Sequence, residues 1–234
     1  PSSLTCGWPS SFQQVIENNG TLYVTSNAGL TCKGNIDNKG TLIIDTSSTL
    51  KLNGDLSNSR EMQITDSSKV ETNVFTNSGT LNISKGTGNT QSSLKVNGGF
   101  TNSGKLVIDD STLTCVTVPD RPTISSETEV SPGKLENNGT VEIINKSQAT
   151  VEEVRNNSGS SMKVSGNSTT LTSKGVVDNG GNLTVDDNGN ITARILSNAG
   201  DLIVGSSKES AGTVVVSGNG GDENQNSGTI EIEA

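Results

Sequence analysis

Histidine is absent from the sequence, and aromatic side chains are scarce. The 234 residues include 3 Phe, 1 Trp and 1 Tyr, and only 29% of them are hydrophobic. Because histidine is the commonest general base near neutral pH, a hydrolytic triad of the Ser-His-Asp kind is excluded. A chain with so few apolar residues is either disordered or a repeat protein with a thin aliphatic core and many turns.

The charge and hydropathy of the chain exclude two further classes of protein. Its net charge is −9, which disfavours a nucleic-acid partner because the phosphate backbone would be repelled. No stretch approaches 18 consecutive apolar residues, so we predict no membrane span. The chain starts at Pro1 without an initiator methionine, and we expect a processed form from which any targeting segment has been removed.

A nine-residue unit recurs along the sequence. It reads apolar, any residue, Asn, any residue, Gly, any residue, apolar, any residue, apolar, and residues 16–24 and 36–44 are its first two copies. The ten copies start at Ile16, Ile36, Leu56, Phe75, Phe100, Leu135, Val154, Val177, Leu196 and Asn224. The base period is 19–20 residues, and longer spacings mark insertions. A fixed period of this length is the signature of a stacked repeat architecture.

Asparagine occupies the third position of every copy. These residues are Asn18, Asn38, Asn58, Asn77, Asn102, Asn137, Asn156, Asn179, Asn198 and Asn226. Gly follows two positions later in most copies, although Arg60 replaces it in the third and two extra residues enter near 158–161 in the seventh. Disorder has no reason to keep ten asparagines in phase, so the column argues for a folded repeat.

Alternating apolar residues predict the fold. Pairs such as Leu42 and Ile44 recur at period two, which is typical of strands, and a third short strand follows, as at Leu50 and Leu52. We therefore predict an all-β, single-domain parallel β-helix (β-solenoid) of about ten coils with three short strands per coil. The repeat domain spans 16–234, and 1–15 form an N-terminal cap or docking segment. Long loops are predicted near 84–93, 116–134, 205–213 and 217–225.

The asparagine column is predicted to be a structural ladder inside the solenoid. Each Asn lies two residues after an inward apolar position, so its side chain should point inward at a bend between strands. Asn tolerates the left-handed backbone conformation that we expect at such a bend. Its amide both donates and accepts, so stacked copies can hydrogen-bond to one another.

Three phrases of the repeat resemble a known group of proteins. They are NSGTLNI at 77–83, NSGKLVI at 102–108 and NNGTVEI at 137–143. They resemble the repeats of secreted β-helix adhesins, such as autotransporter-type passenger domains, and the resemblance covers residues 16–234. It implies export, surface display and contact with other cells, surfaces or copies of the same chain. It carries over no catalytic or binding residue, because that family shares no site motif.

Candidate catalytic and metal-binding residues are few. The paired carboxylates are Asp109 with Asp110 and Asp186 with Asp187; Asp45 shares the turn position of Asp109 and Asp186. Ser or Thr fills that position in other coils, which favours turn capping over catalysis. The stretch 186–190 lacks the distal Glu of a calcium loop, and 218–223 is typical of a solvated turn. We predict no enzymatic activity, no catalytic residue, no metal and no cofactor.

The three cysteines allow one disulfide. Cys32 and Cys115 belong to coils four rungs apart, about 19 Å, which is beyond disulfide reach. Cys6 could fold back onto Cys32 and close a small cap containing Trp8 and Phe12; the alternative is free buried thiols. Cys115 would then be either buried or intermolecular.

Sequons for N-glycosylation are frequent. The plausible exposed acceptors are Asn19, Asn138, Asn145, Asn167 and Asn190. Asn156 also starts a sequon, but as a ladder residue it should not be modified. Modification at these sites requires a secretory pathway that performs it.

The sequence favours an extracellular, cell-surface structural or adhesive role. We expect the chain to bind copies of itself head to tail, with residues 229–234 docking on the first copy at 16–24, and to bind glycans or neighbouring cell surfaces. The alternative is a carbohydrate-binding or polysaccharide-cleaving β-helix protein. Two weaker hypotheses are a cytoskeletal solenoid and an ice-binding face. The ice-binding threonine column would be Thr21, Thr41, Thr80, Thr140 and Thr229, but it is interrupted by Glu61, Lys105, Asn182 and Asp201.

Overall fold

Three parallel sheets of ten strands each make up the fold. The computed structural model describes residues 2–6, 15–88, 90–117, 133–205, 211–218 and 222–233. Sheet A contains β1 (Ser3–Cys6), β4 (Gly29–Cys32), β7 (Thr49–Leu52), β10 (Lys69–Thr72), β13 (Ser93–Val96), β16 (Thr112–Cys115), β19 (Gln148–Val151), β22 (Thr170–Ser173), β25 (Asn190–Ala193) and β28 (Thr213–Val216). Sheet B contains β2 (Val15–Asn18), β5 (Asn35–Asn38), β8 (Leu56–Asn58), β11 (Phe75–Asn77), β14 (Phe100–Asn102), β17 (Lys134–Asn137), β20 (Glu153–Asn156), β23 (Val176–Asn179), β26 (Ile195–Asn198) and β29 (Gln225–Asn226). Sheet C contains β3 (Thr21–Val24), β6 (Thr41–Ile44), β9 (Glu61–Ile64), β12 (Thr80–Ser84), β15 (Lys105–Asp109), β18 (Thr140–Ile144), β21 (Ser161–Ser165), β24 (Asn182–Asp186), β27 (Asp201–Val204) and β30 (Thr229–Ile232).

The chain visits the sheets in the order A, B, C and then repeats. Each strand therefore pairs in parallel with the strand three places further along, and one strand from each sheet makes a rung, with β28, β29 and β30 in the last. The predicted all-β parallel β-solenoid, with about ten coils of three strands each, is confirmed. Over the described part of the chain, no helix has the length and apolar character that a bilayer crossing requires.

The rungs stack in register, which fixes the core. Leu81 pairs with Leu106, which in turn pairs with Val141, and all three side chains are fully buried. Burial alternates along the strands because successive side chains point to opposite faces. Inward residues of the three sheets thus form one aliphatic column, within which the rings of Phe75 and Phe100 stack with centroids 4.9 Å apart.

Strand β1 extends sheet A into the predicted terminal segment. Its residues pair with β4 from Ser3 with Gly29 to Cys6 with Cys32. The stacking thus continues before residue 16, and the role of 1–15 as a cap or docking segment stays a prediction. Trp8 and Phe12, which we expected in the cap, lie outside the described residues.

All four predicted long loops lie partly outside the described residues. Residue 89 of loop 84–93, residues 118–132 of loop 116–134, residues 206–210 of loop 205–213 and residues 219–221 of loop 217–225 are not described. The described parts of these loops connect consecutive strands, as the insertions in the repeat predict.

The expectation of a left-handed backbone at the ladder asparagines is wrong. Among the described residues, every non-glycine residue with positive φ lies in a turn from sheet C to sheet A, such as Thr46 (52°) and Ser47 (59°). The backbone N–H of Ser48 donates to the carbonyl of Asp45, closing a turn with two left-handed central residues. The ladder asparagines instead end the sheet B strands, with strand backbone.

Charged side chains on the outer surface link neighbouring rungs. Glu71 accepts a hydrogen bond from Asn97 at 3.1 Å and pairs with Lys95 at 3.1 Å and Lys51 at 3.6 Å. The Asn97 amide, and then Lys95, hold the pKa of Glu71 below its ordinary value. On this part of the outer face, charged and polar side chains therefore pair with one another across neighbouring rungs.

Candidate functional site

The ladder of asparagine side chains is continuous through all ten rungs. In each step the Nδ2 of one Asn donates to the Oδ1 of the Asn in the next rung. The donor–acceptor distance is 2.7 Å from Asn18 to Asn38 and 2.9 Å, the longest, from Asn102 to Asn137. The predicted ladder is confirmed: all ten asparagines take part in it, and the nine from Asn18 to Asn198 are buried.

The second N–H of each ladder amide from Asn18 to Asn198 bonds to backbone. Asn18 donates to the carbonyl of Thr41 at 2.8 Å, and the same bond recurs up to Asn198 and Thr229, at 3.0 Å. The acceptor is always the first residue of the next sheet C strand. Every bond to the next rung runs in one direction, so the ladder has a polarity from the first rung towards the last.

A second buried polar column precedes the sheet A strands, and sequence reasoning missed it. Its members are Ser48, Ser68, Ser92, Ser111, Ser147 and Thr169, all fully buried. The hydroxyls of Ser48, Ser68, Ser147 and Thr169 accept from backbone of the preceding rung, as when the Ser48 N–H donates to Ser68 Oγ at 3.1 Å. Those of Ser92 and Ser111 have no partner among the described residues. A Ser or Thr just before six successive sheet A strands, β7 to β22, was the available signal.

No described residue stacks on the last rung. Ile230 and Ile232 of β30 are 43% and 75% exposed, whereas Ile83 at the equivalent position of an inner rung is fully buried. Asn226, which ends the ladder, is exposed as well. The first rung is more fully covered, since Asn18 and Val24 are buried. The last rung thus presents apolar side chains and a strand edge to its surroundings.

An open groove of about 780 Å³ runs along the corner between sheets C and A. It exists because turn lengths differ: two residues separate β15 from β16, whereas eight separate β12 from β13. Asp109, Asp110 and Asp187 line it together with Asn145 and Asn167. The groove therefore brings together three of the four paired carboxylates that the sequence singled out, and the fourth, Asp186, is buried.

Protein groups engage the groove carboxylates. Asp109 accepts from the Asn145 amide of the next rung at 2.9 Å, so it links adjacent turns rather than capping its own. Asp110 pairs with Lys85 at 3.5 Å. The buried Asp186 pairs with Lys163 at 3.1 Å. Within the described residues no group of three or more His, Cys, Asp or Glu could hold a metal ion.

The strand pairing itself establishes the parallel β-solenoid. No protein family model, curated protein or solved structure matches this chain. The resemblance to secreted β-helix adhesins therefore rests on the repeated sequence phrases, and adhesion and export are proposals.

The cysteines occupy two different environments. Cys6 and Cys32 are Cα partners in adjacent strands, a spacing of about 4.8 Å that is compatible with a disulfide. The side chain of Cys6 lies outside the described part of the chain, so the disulfide stays a prediction. Cys115 is fully buried between the inward positions of Val96 and Val151, and burial raises its pKa.

Four of the five predicted glycosylation acceptors are exposed. They are Asn19, Asn138, Asn145 and Asn167. Asn190 is half-buried, and its Oδ1 is a buried atom without a partner among the described residues. Glycosylation stays a prediction, and the structure makes Asn190 the least accessible of the five.

Proposed function

We propose that the protein is an extracellular structural and adhesive β-solenoid that assembles end to end with copies of itself. The observation that carries this proposal is the uncovered last rung. Its strands repeat the geometry of inner rungs, but Ile230 and Ile232 lie exposed where Leu202 of the preceding rung is buried. An uncovered strand edge beside an open apolar column is a template for another strand.

A second copy of the chain offers the matching surface. The first rung has the same three strands and the same inward alternation, so it matches the last rung in shape. Asn18 and Val24 are buried in the single chain, so docking requires that the groups covering the first rung move aside. Contact between the last rung of one copy and the first rung of another is head to tail. Such a contact propagates into a filament rather than closing into a dimer.

The extracellular setting is supported by features of the surface and the cysteines. Asn19 and Asn138 are exposed sequon residues, as an acceptor for glycans requires. The Cα pairing of Cys6 with Cys32 suits an oxidising compartment. The lateral faces of the stack remain available in a filament, and we assign adhesion to glycans or neighbouring cells to them.

A matched pair of lysine substitutions tests the self-assembly. Ile230 points inward and is 43% exposed, whereas Val215 points outward on the same rung and is 44% exposed. In sedimentation velocity, we expect the sedimentation coefficient of the wild-type protein to rise with protein concentration as it assembles. Ile230→Lys should stay monomeric, and Val215→Lys should assemble like wild type. Wild-type chains that remain monomeric at all concentrations would refute the proposal.

The corner groove supports a second candidate function, glycan binding. Its carboxylates and amides, including Asp187 and Asn167, are hydrogen-bonding groups suited to hydroxyl-rich ligands. Binding on a glycan array that is lost in Asn167→Ala but kept in the outward-facing variant Ser103→Ala would support it. Release of reducing sugar in the same samples would instead favour cleavage.

A further inference from the structure

The polarity of the asparagine ladder makes the two ends of the stack complementary. Every Nδ2 donates towards the next rung, so the last one, on Asn226, has no acceptor among the described residues. At the other end, no described residue donates to the Oδ1 of Asn18. One end therefore offers an amide donor and the other an amide acceptor of the same kind.

Gly20 supplies a second, steric observation. A Cβ on Gly40, Gly104 or Gly228 would lie 2.0–2.1 Å from a backbone carbonyl oxygen of the preceding rung, so these turns need glycine. In the third rung, Arg60 occupies the position that these glycines hold, and it is an exception to this requirement. Gly20 has no positive φ and no described atom within 4 Å of the position of a Cβ. The described residues therefore do not require glycine at position 20, but a rung stacked before it would.

The side chains of the two end rungs also match. Once the groups that cover the first rung have moved aside, stacking it in register on a last rung places Leu22 next to Ile230 and Val24, buried in the single chain, next to Ile232. The apolar column then continues across the junction. On the outer face of the same strands, Tyr23 would lie beside Glu231. No like charges meet along this pair of strands.

We propose that copies of this chain join in register, so that the asparagine ladder runs without interruption across the junction. The Nδ2 of Asn226 in one copy donates to the Oδ1 of Asn18 in the next, and the carbonyl of Gly228 accepts from the N–H of Thr21. The second bond repeats the one by which Gly200 accepts from Thr229 at 2.9 Å. The inference rests on the proposed end-to-end assembly and goes further by fixing the register and the contacting groups.

Disulfide cross-linking between introduced cysteines tests the register of the proposed junction. In the proposed junction, Tyr23→Cys and Glu231→Cys are Cα neighbours at about 4.8 Å, within disulfide range. The matched control, Thr21→Cys with Glu231→Cys, is offset by two residues at about 8 Å, beyond that range. After mild oxidation of the assembled protein, non-reducing electrophoresis should show covalent multimers for the first pair only, above the background of wild-type chains.

The outcomes separate the register from the assembly itself. Filaments that cross-link through the control pair, or through neither pair, would overturn the in-register junction while end-to-end assembly stands. Wild-type chains that form no filaments would overturn both.

A second variant does not depend on cross-linking. Gly20→Ala should keep the wild-type melting temperature of the dilute monomer, because nothing described contacts that position. It should weaken assembly by about tenfold or more, because its Cβ would meet the carbonyl of Gly228 of the neighbouring copy. Normal assembly of Gly20→Ala would contradict the proposed register.

Discussion

Replacing Asn102 with leucine tests the ladder where it is fully buried. The Asn102 amide accepts from Asn77 at 2.8 Å and donates to Asn137 at 2.9 Å and to the carbonyl of Thr140 at 3.0 Å. Leucine fills much of the same space but can neither donate nor accept a hydrogen bond. The substitution therefore interrupts the ladder at its centre and leaves polar groups of both adjoining rungs short of a partner.

The expected cost follows from the bonds that remain. Asn77 still donates to the carbonyl of Lys105 at 3.1 Å, and Asn137 still accepts from the N–H of Gly139 at 3.1 Å. Asn77 and Asn137 therefore each keep at least one hydrogen bond. The loss of stability should be close to that caused by one buried polar group left without a partner. We expect Asn102→Leu to lower the free energy of unfolding by about 1–3 kcal/mol.

The assay is urea unfolding followed by far-ultraviolet circular dichroism, with Ser103→Ala as the control. Ser103 is the next residue but is exposed, so the control should change the free energy of unfolding by less than about 0.5 kcal/mol. A lower midpoint with an unchanged denaturant slope would show that stability alone has changed. Equal effects of the two substitutions would refute the inward phase of the ladder.

Four further predictions concern single side chains. Gly104→Ala should destabilise by about 1–3 kcal/mol, because its Cβ would lie 2.0 Å from a backbone oxygen that cannot move independently; an unchanged urea midpoint would contradict the close stacking of the turns. Ser147→Ala should lower the free energy of unfolding by about 1 kcal/mol, because the Ser147 hydroxyl accepts from the N–H of Ser111. Ser111→Ala should be nearly neutral, because the Ser111 hydroxyl has no partner among the described residues. A larger loss of stability in Ser111→Ala than in Ser147→Ala would contradict the hydrogen bonds of this column. The pKa of Glu71 is lower in the folded protein than in the unfolded chain, where it is about 4.3, so the ionised carboxylate stabilises the fold above that pH. This stabilisation is lost as the pH falls through the pKa of the folded state. Wild type should therefore have a higher free energy of unfolding than Glu71→Gln at neutral pH, and the difference should vanish in acid. Buried Cys115 should resist alkylation in the native protein and react fully in denaturant; rapid native labelling would show that the core is open there.

The repeat made the fold and the ladder predictable from the sequence. Asn, Gly and the following apolar pair sit at fixed distances within one short unit, so their phase survives insertions elsewhere in the coil. That phase determines which side chains point inward. The strand order and the inward asparagines could therefore be predicted without knowledge of the loops.

The second polar column and the groove were not predictable in the same way. Ser48 lies ten residues after Asn38, but Ser92 lies fifteen after Asn77, because the intervening turns differ in length. Only stacking in three dimensions brings these serines into one column and places Asp109 in the groove. The left-handed turn was likewise hidden, because Ser, Thr, Asp, Asn and Lys all occupy it.

Cryo-electron microscopy of assembled chains tests the proposed end-to-end assembly most directly. Ten rungs at about 4.8 Å each predict filaments with an axial repeat of about 48 Å per copy and an unbroken rung spacing across every junction. Separate rods about 48 Å long, with nothing stacked on the last rung at any protein concentration, would contradict the account.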